Sequence, residues 1–182
     1  EAGIKVTALP GAVACVTALI ISGLPTRRFC FEAFLPTDKK EHQRVLAELQ
    51  NETRTIVLYE APHHLLRTLT ELYEALGDRK ASICRELTKK YETAFRTTLS
   101  QAVAYYTENE PKGECVIVIE GKSVQEIEAE DQARWQQMSL EEHMEHYESQ
   151  GNSRKEAMKL VAKDRGVSKR DVYQALLEAE EA

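Results

Sequence analysis

Glycine and proline are scarce in this 182-residue chain, at eight and five residues. That scarcity excludes a collagen-like or low-complexity chain. Cysteine numbers four and tryptophan one. Cys15, Cys30, Cys84 and Cys115 form no C-x-x-C pair, and each sits among apolar neighbours. Buried reduced thiols are therefore expected, not a zinc site or a disulfide framework. Long hydrophobic runs are missing as well. The longest covers residues 12–21 and is broken by Thr17, whereas a bilayer span needs about 20 apolar residues. This run is expected to be a buried helix. No charged n-region followed by an h-region opens the chain, so no signal peptide is read. A cytoplasmic protein with no membrane partner is expected. There is also no P-loop, no G-x-G-x-x-G and no G-x-S-x-G. Basic charge is not in excess: 24 Lys and Arg stand against 30 Asp and Glu, a net of −6. This argues against a coat of basic charge without excluding a local basic face.

What is present is an ordinary globular composition, 42% hydrophobic and 30% charged. Apolar residues recur at helical and alternating spacings through most of the chain, which excludes disorder. Residues 4–9 alternate and carry β-branched Ile4, Val6 and Thr7, a strand pattern. Before it, Glu1-Ala2-Gly3 reads as the last turn of a helix with its terminating glycine, so the chain is expected to be the C-terminal part of a longer protein. Pro10-Gly11 ends the strand, and a helix over residues 12–22 is closed by Gly23 and Pro25. Further strands are expected at residues 29–34, 54–59, 80–85, 93–98 and 115–119. The last, CVIVI, is a continuous apolar run suited to a central strand covered on both faces. Helices are expected from Thr37 or Asp38 to Leu49, from Pro62 to Leu76 and over residues 99–106. The reading is a three-layer α/β domain with a mixed sheet over residues 1–121.

Residues 122–138 are read as an acidic linker or helix. Three amphipathic helices follow over residues 139–149, 153–165 and 168–179, with Ser139, Ser153 and Ser168 as N-caps. The last two, around a short glycine turn, resemble a helix-turn-helix, which makes residues 139–182 a small three-helix domain. Residues 151–170 hold seven basic side chains against two acidic ones, a net of +5. Residues 128–150 hold one basic against seven acidic, a net of −6. A phosphate-contacting face on the middle helix and a solvated face balanced by its acidic neighbour explain this equally well. His143 and His146 have metal-ligand spacing but no third ligand nearby, so no metal is expected. His42 is expected at the surface.

Three segments at strand ends draw attention. Leu9-Pro10-Gly11-Ala12 is a strand-to-helix turn whose backbone N–H groups can meet a ligand carboxylate, or simply a tight turn. Tyr59-Glu60-Ala61-Pro62-His63-His64 puts a carboxylate and two imidazoles just past a buried strand, where folding does not need them. Arg85-Glu86-Leu87-Thr88-Lys89 crowds charges past another strand, suiting substrate contact or an ion-pair network.

Taken in order, these segments resemble a known family. The matching residues are Leu9-Pro10-Gly11, residues 22–26, Arg28-Phe29, Phe31-Glu32, residues 34–36, Arg54-Thr55, Tyr59-Glu60, Pro62-His63, residues 85–89, residues 112–114 and Glu120-Gly121. The chain resembles the C-terminal part of the bacterial 16S ribosomal RNA cytidine 2′-O-ribose methyltransferases, of the tetrapyrrole methylase superfamily. The resemblance covers residues 1–121, and the helical tail is similar to that family's C-terminal extension. It implies two α/β domains with S-adenosylmethionine in the cleft between them, this chain being the second domain plus the tail. The N-terminal domain would then be a partner supplied by the same protein, and a fragment without it would be inactive. Three departures stand out: His64 for a usual Arg, Ala33 for a usual Gly, and Ala12-Val13 for a usual Pro-Ser.

The resemblance implies roles for residues. Pro10, Gly11, Ala12, Val13, Ala14, Tyr59 and Gly113 would serve the cofactor. Glu60, Glu86 and His63 are the candidates for accepting the proton of the ribose 2′-hydroxyl. Arg85 and Lys89 would steady phosphates of 16S ribosomal RNA in the small subunit, with Arg154, Lys155, Lys159, Lys163, Lys169 and Arg170 extending the grip. The helical linker and a sheet edge make a homodimer an expectation too. Two rival readings are a methyltransferase of the same superfamily acting on a tetrapyrrole or other small molecule, and a non-enzymatic nucleic-acid-binding regulator.

Overall fold

A computed structural model describes residues 11–180 of the chain. The strand expected at residues 4–9, and Pro10 with it, lie outside the described residues. The chain divides into two compact units, Glu1–Lys122 and Ser123–Ala182.

The first unit runs α1 (Ala14–Ser22), β1 (Phe29–Ala33), α2 (Lys39–Leu49), β2 (Thr55–Glu60), α3 (Pro62–Leu76), β3 (Lys80–Arg85), β4 (Thr93–Thr98), α4 (Leu99–Glu108) and β5 (Cys115–Ile119). The strands form one mixed sheet in the order β1-β2-β5-β3-β4. β1 lies parallel to β2, and the remaining pairs are antiparallel. The three-layer α/β architecture read from the sequence is the one that forms.

Strand alternation sorts the side chains into two layers. Ile56, Leu58, Ile83, Ile117 and Ile119 pack against α2, α3 and α4, with Leu65, Leu69 and Leu72 of α3 fully buried among them. Each such leucine contributes about 1.5–3 kcal/mol by leaving water. Val57, Cys84, Val116 and Val118 point to the other side, where Cys15, Ala18 and Leu19 of α1 meet them. All five residues of β5 are buried, as expected of a run covered on both faces. The four cysteines are free and buried, and burial pushes the Cys30 thiol to about 11 and that of Cys115 to about 12. Those two thiols are poor nucleophiles in this setting.

Asp38 caps α2 by accepting from the Glu41 N–H at 3.0 Å. His42 is not at the surface as expected. It is only 17% exposed, its Nδ1 lies 3.0 Å from the Pro36 carbonyl and its Nε2 lies 3.0 Å from Glu71 on α3. The imidazole ties α2 to α3, a long-range pairing that local sequence does not display.

In the second unit, α5 (Val124–Gln136), α6 (Leu140–Glu148), α7 (Arg154–Asp164) and α8 (Lys169–Glu180) follow. The segment read as a linker is thus a helix over most of its length. Ser123 and Glu126 form a reciprocal capping box there, and Ser139 with Glu142 and Ser153 with Glu156 repeat it on α6 and α7. Ser168 and Asp171 exchange the same pair of bonds at the start of α8. The small core comprises Met144, Ala157, Val161, Ala162, Val172 and Leu176.

A polar cluster completes that core. His143 is fully buried, and its ring stacks on Trp135 of α5 at 4.2 Å and 7°. Its Nδ1 accepts from Arg165 Nε at 3.1 Å, and its Nε2 lies 3.4 Å from the Asp164 carboxylate. Arg165 also donates to the Met138 and Ser139 carbonyls at 2.6 and 2.8 Å. Tyr147 donates its hydroxyl to Asp164. Arg165, counted with the basic segment in the sequence, is therefore a clasp inside the fold. Among the described residues no cluster of metal-ligating side chains forms, and no helix is long and apolar enough to cross a membrane.

Two outcomes follow. Ala33 holds φ +53°, a left-handed conformation that suits glycine; Ala33→Gly is expected to stabilise the first unit by about 1 kcal/mol in urea denaturation. Burial and the Arg165 charge hold the His143 pKa below the usual histidine value. The unfolded chain then binds the proton more readily, so stability is full above about pH 6.5 and falls as pH drops below it. Fluorescence of the single tryptophan, Trp135, should show the urea midpoint of the second unit falling from pH 7.5 to 5. His143→Gln should flatten that profile, and a midpoint that rises on acidification would contradict the assignment.

Candidate functional site

One row of the sheet gathers the charged segments. Glu60 at the end of β2 pairs with Cys115 at the start of β5, Cys115 with Arg85 at the end of β3, and Arg85 with Thr93 at the start of β4. The Tyr-Glu segment, the Arg-Glu-Leu-Thr-Lys loop and the Lys-Gly-Glu segment before β5 thus meet at one edge, remote in sequence as they are.

Neighbouring side chains there belong to different layers. Tyr59 points to the α1 side. Its hydroxyl accepts the Cys15 N–H at 3.2 Å, and its ring meets Phe31 edge-on at 4.9 Å and Phe34 at 5.8 Å. Burial raises its phenol above the ordinary range. Tyr59 therefore satisfies one of the open N–H groups at the start of α1, where Val13 offers no side-chain cap. The helix begins at Ala14, two residues later than the sequence suggests, leaving Gly11, Ala12 and Val13 exposed ahead of it. Among the described residues, the Ala14 and Val16 N–H groups have no acceptor.

Glu60 points the other way. It is buried, accepting the Ala61 N–H at 2.7 Å and the Thr68 hydroxyl at 2.6 Å. Both carboxylate oxygens are thus engaged at the start of α3, beneath which Glu60 acts as a cap. Thr68, two turns into α3, carries no sequence signal for this partnership. His63 and His64 lie exposed in the first turn of α3 with their rings 4.0 Å apart.

The loop after β3 is strained. Glu86 and Thr88 hold φ of +50° and +65°, uncommon for residues with a Cβ and notable for a β-branched one. Glu86 pairs with Lys89 at 3.2 Å, and its side chain lies across Gly113, where any Cβ would collide with the carboxylate. Gly113 also has φ +77°, so both space and backbone require glycine. Arg85 donates to the Thr93 hydroxyl at 3.2 Å and the Lys112 carbonyl at 3.0 Å, fastening the loop before β5. Arg85, Glu86 and Gly113 border an open cleft of about 1040 Å³ whose wall includes Tyr91, Phe95, Tyr105 and Tyr106. These aromatics escaped the sequence reading; the adjacent Tyr105-Tyr106 was the only local signal.

In the second unit, Lys155, Lys159 and Lys163 are exposed at four-residue spacing along α7, opposite buried Ala157 and Val161. Arg154, Lys169 and Arg170 are exposed in the first turns of α7 and α8. A helix N-terminus disfavours cations, so the helix dipole does not explain Lys169 and Arg170.

Comparison with known proteins bears on this arrangement. The model of the tetrapyrrole (corrin/porphyrin) methylases matches residues 1–103. A Bacillus subtilis protein named ribosomal RNA small subunit methyltransferase I is 45% identical over 175 residues, covering 96% of this chain and 60% of its own length. Its namesake from Synechocystis is 44% identical over 181 residues, covering 99% of this chain and 63% of its own. The chain thus spans about three fifths of the length of these curated relatives. A crystal structure of the methyltransferase CobJ superposes with a TM-score of 0.53 at 20% identity, covering 66% of this chain and 52% of that one; this is a likeness of fold.

Tyr59→Phe removes the acceptor for the Cys15 N–H without removing the ring. It is expected to cost about 1 kcal/mol in thermal or urea unfolding, and Tyr59→Leu more, since the contacts with Phe31 and Phe34 go too. Equal stability of Tyr59→Phe and the parent would show that α1 does not depend on this bond.

Proposed function

The chain belongs to the tetrapyrrole methylase family, and from that premise we propose that it forms part of an S-adenosylmethionine-dependent methyltransferase of small-subunit ribosomal RNA, acting on a cytidine ribose 2′-hydroxyl. The observation that carries the reading is the convergence of the segments around Tyr59, Glu86 and Gly113 at one sheet edge. The names of the relatives support ribosomal RNA as substrate.

The residues present fit the cofactor at one place. The start of α1, whose Ala14 and Val16 N–H groups have no acceptor among the described residues and which has no bulky side chain at Gly11 or Ala12, suits a carboxylate or carbonyl acceptor. The cofactor supplies an activated methyl group when bound. The chain's own tasks are alignment and proton acceptance. Tyr59 holds the α1 start in position. Of the three acids and bases considered, Glu60 is committed to Ala61 and Thr68, whereas Glu86 borders the open cleft with Lys89 as its ion-pair partner. Glu86 is therefore our choice of proton acceptor, with His63 second. Arg85 and Lys89 order the loop that carries it.

The lysine row on α7 supports a polyanionic substrate over a tetrapyrrole or other small molecule. Val13 ahead of α1, Val16 and Ile20 on it, and Phe29 and Phe34 are apolar and exposed; they support the two associations included in this reading, with an N-terminal domain and with a second copy.

The reading is tested with the chain extended to the length of its relatives, by following tritium from the methyl group of S-adenosylmethionine into unmethylated small subunits. Label is expected in ribose of 16S RNA. Glu86→Gln should lower kcat by about 10²-fold or more with little change in KM for RNA. The triple variant K155Q/K159Q/K163Q should instead raise KM and flatten its salt dependence. Label in a base, or an undiminished kcat for Glu86→Gln, would contradict the proposal.

A further inference from the structure

Besides Glu86 and Arg85, the cleft has an aromatic wall that proton acceptance does not require. β4 is the edge strand of the described sheet, and Phe95 on it meets Tyr105 at 4.8 Å and Tyr106 at 6.4 Å. Tyr106 is buried and anchors the group, its ring nearly perpendicular to that of Tyr105 at 5.0 Å. Tyr105 is 47% exposed and Tyr91, at the end of the strained loop, is 69% exposed. Leaving a phenol ring in water forgoes burial free energy, and a strained loop holds one of these rings in the wall. The cleft volume of about 1040 Å³ lies at the top of the range for ligand sites and leaves room for more than one nucleotide.

Charge narrows the occupant. Glu86, Glu108 and Glu110 line the cleft against Arg85 and Lys112, so the lining carries a net charge of −1 and repels phosphate. Carboxylates can instead accept from exocyclic amino groups, and the Arg85 guanidinium can donate to a ring carbonyl or ring nitrogen. Lys89 and Lys90, exposed in the loop between Glu86 and Tyr91, add positive charge beside this lining, with Lys90 Nζ 5.5 Å from the centre of the Tyr91 ring. Flat, neutral rings bearing amino and carbonyl groups, strung on an anionic backbone, fit both lining and rim.

We propose that this cleft is a stacking subsite for an unpaired base of the substrate RNA, with Tyr91 and Tyr105 as the platforms. It rests on the ribosomal RNA reading above and adds to it a place in the cleft that Glu86 borders where an unpaired nucleotide neighbouring the reacting ribose is held. Stacking tolerates any base, so the subsite selects unpaired over duplex RNA and not one sequence over another.

The test uses the chain as it stands, with a fluorescent single-stranded 12-mer oligoribonucleotide, its abasic counterpart and a duplex of equal length. Tyr91→Ala and Tyr105→Ala change exposed side chains, and circular dichroism checks that each variant folds. Each is expected to weaken single-strand binding roughly 5- to 150-fold, the range for one stacked base, with the salt slope unchanged because no phosphate contact is lost. Tyr91→Trp should retain affinity, and the abasic strand should bind the parent chain at least as weakly as the normal strand binds Tyr91→Ala. Equal binding of normal and abasic strands, or of the parent and both alanine variants, overturns the subsite. So does a loss confined to binding of an arginine-rich peptide, which would identify a basic protein segment as the occupant. K155Q/K159Q/K163Q separates the two readings. If it weakens RNA binding while the tyrosine variants do not, the RNA reading stands and the subsite falls; if the parent chain binds none of the RNAs, both fall.

Discussion

The position of β5 is the constraint on which the candidate site depends. A run of five apolar residues has to be covered on both faces, and it is accommodated in the middle of the sheet, antiparallel to β2 and β3. That insertion brings the end of β2, the end of β3 and the starts of β4 and β5 to one edge. The driving force is non-directional burial, at about 25 cal/mol per Å² of apolar surface, but its consequence is directional. Three charged segments from distant parts of the chain meet because two of them end the strands that flank the most apolar strand and the third leads into it.

The pleat then divides those segments by layer. Tyr59 and Glu60 are adjacent in sequence yet serve opposite sides, one holding the start of α1 and the other the start of α3. This separates two residues that look alike as site candidates. A buried carboxylate with both oxygens hydrogen-bonded is stable because its bonds replace those of water, and the same bonds occupy it. Glu86 stands on a loop held in a left-handed conformation, and Gly113 leaves the space its side chain fills. Strain of this kind persists where surrounding contacts over-determine it; here they include the Arg85 bonds to Thr93 and Lys112.

In the second unit the net charge of −6 is a poor guide to the surface. Arg165 is withdrawn into the core by His143 and two carbonyls, and Asp164 is engaged by Tyr147. Outward on α7, past Arg154 and Glu156 of its first turn, runs a row of three lysines. The acidic helix α5 takes part in the same unit through the stacking of Trp135 on His143, so the segment read as a linker contributes to packing.

Local patterns in the sequence determined most of the elements. The run CVIVI, the serine caps with a partner three residues on, the Pro62 start and the Gly23 and Gly77 ends are each decided by neighbours within a turn or a strand. The charge asymmetry of the tail and the set of segments at strand ends were legible in the same way. Tertiary structure alone decided the sheet order, the commitment of Glu60 to Thr68, the docking of His42 on Glu71, the withdrawal of Arg165 and the gathering of Tyr91, Phe95 and Tyr105 around one cleft. Each of these rests on a contact between residues far enough apart that chain connectivity says nothing about their distance. Periodicity reports which side of an element is apolar; only packing decides what that side meets.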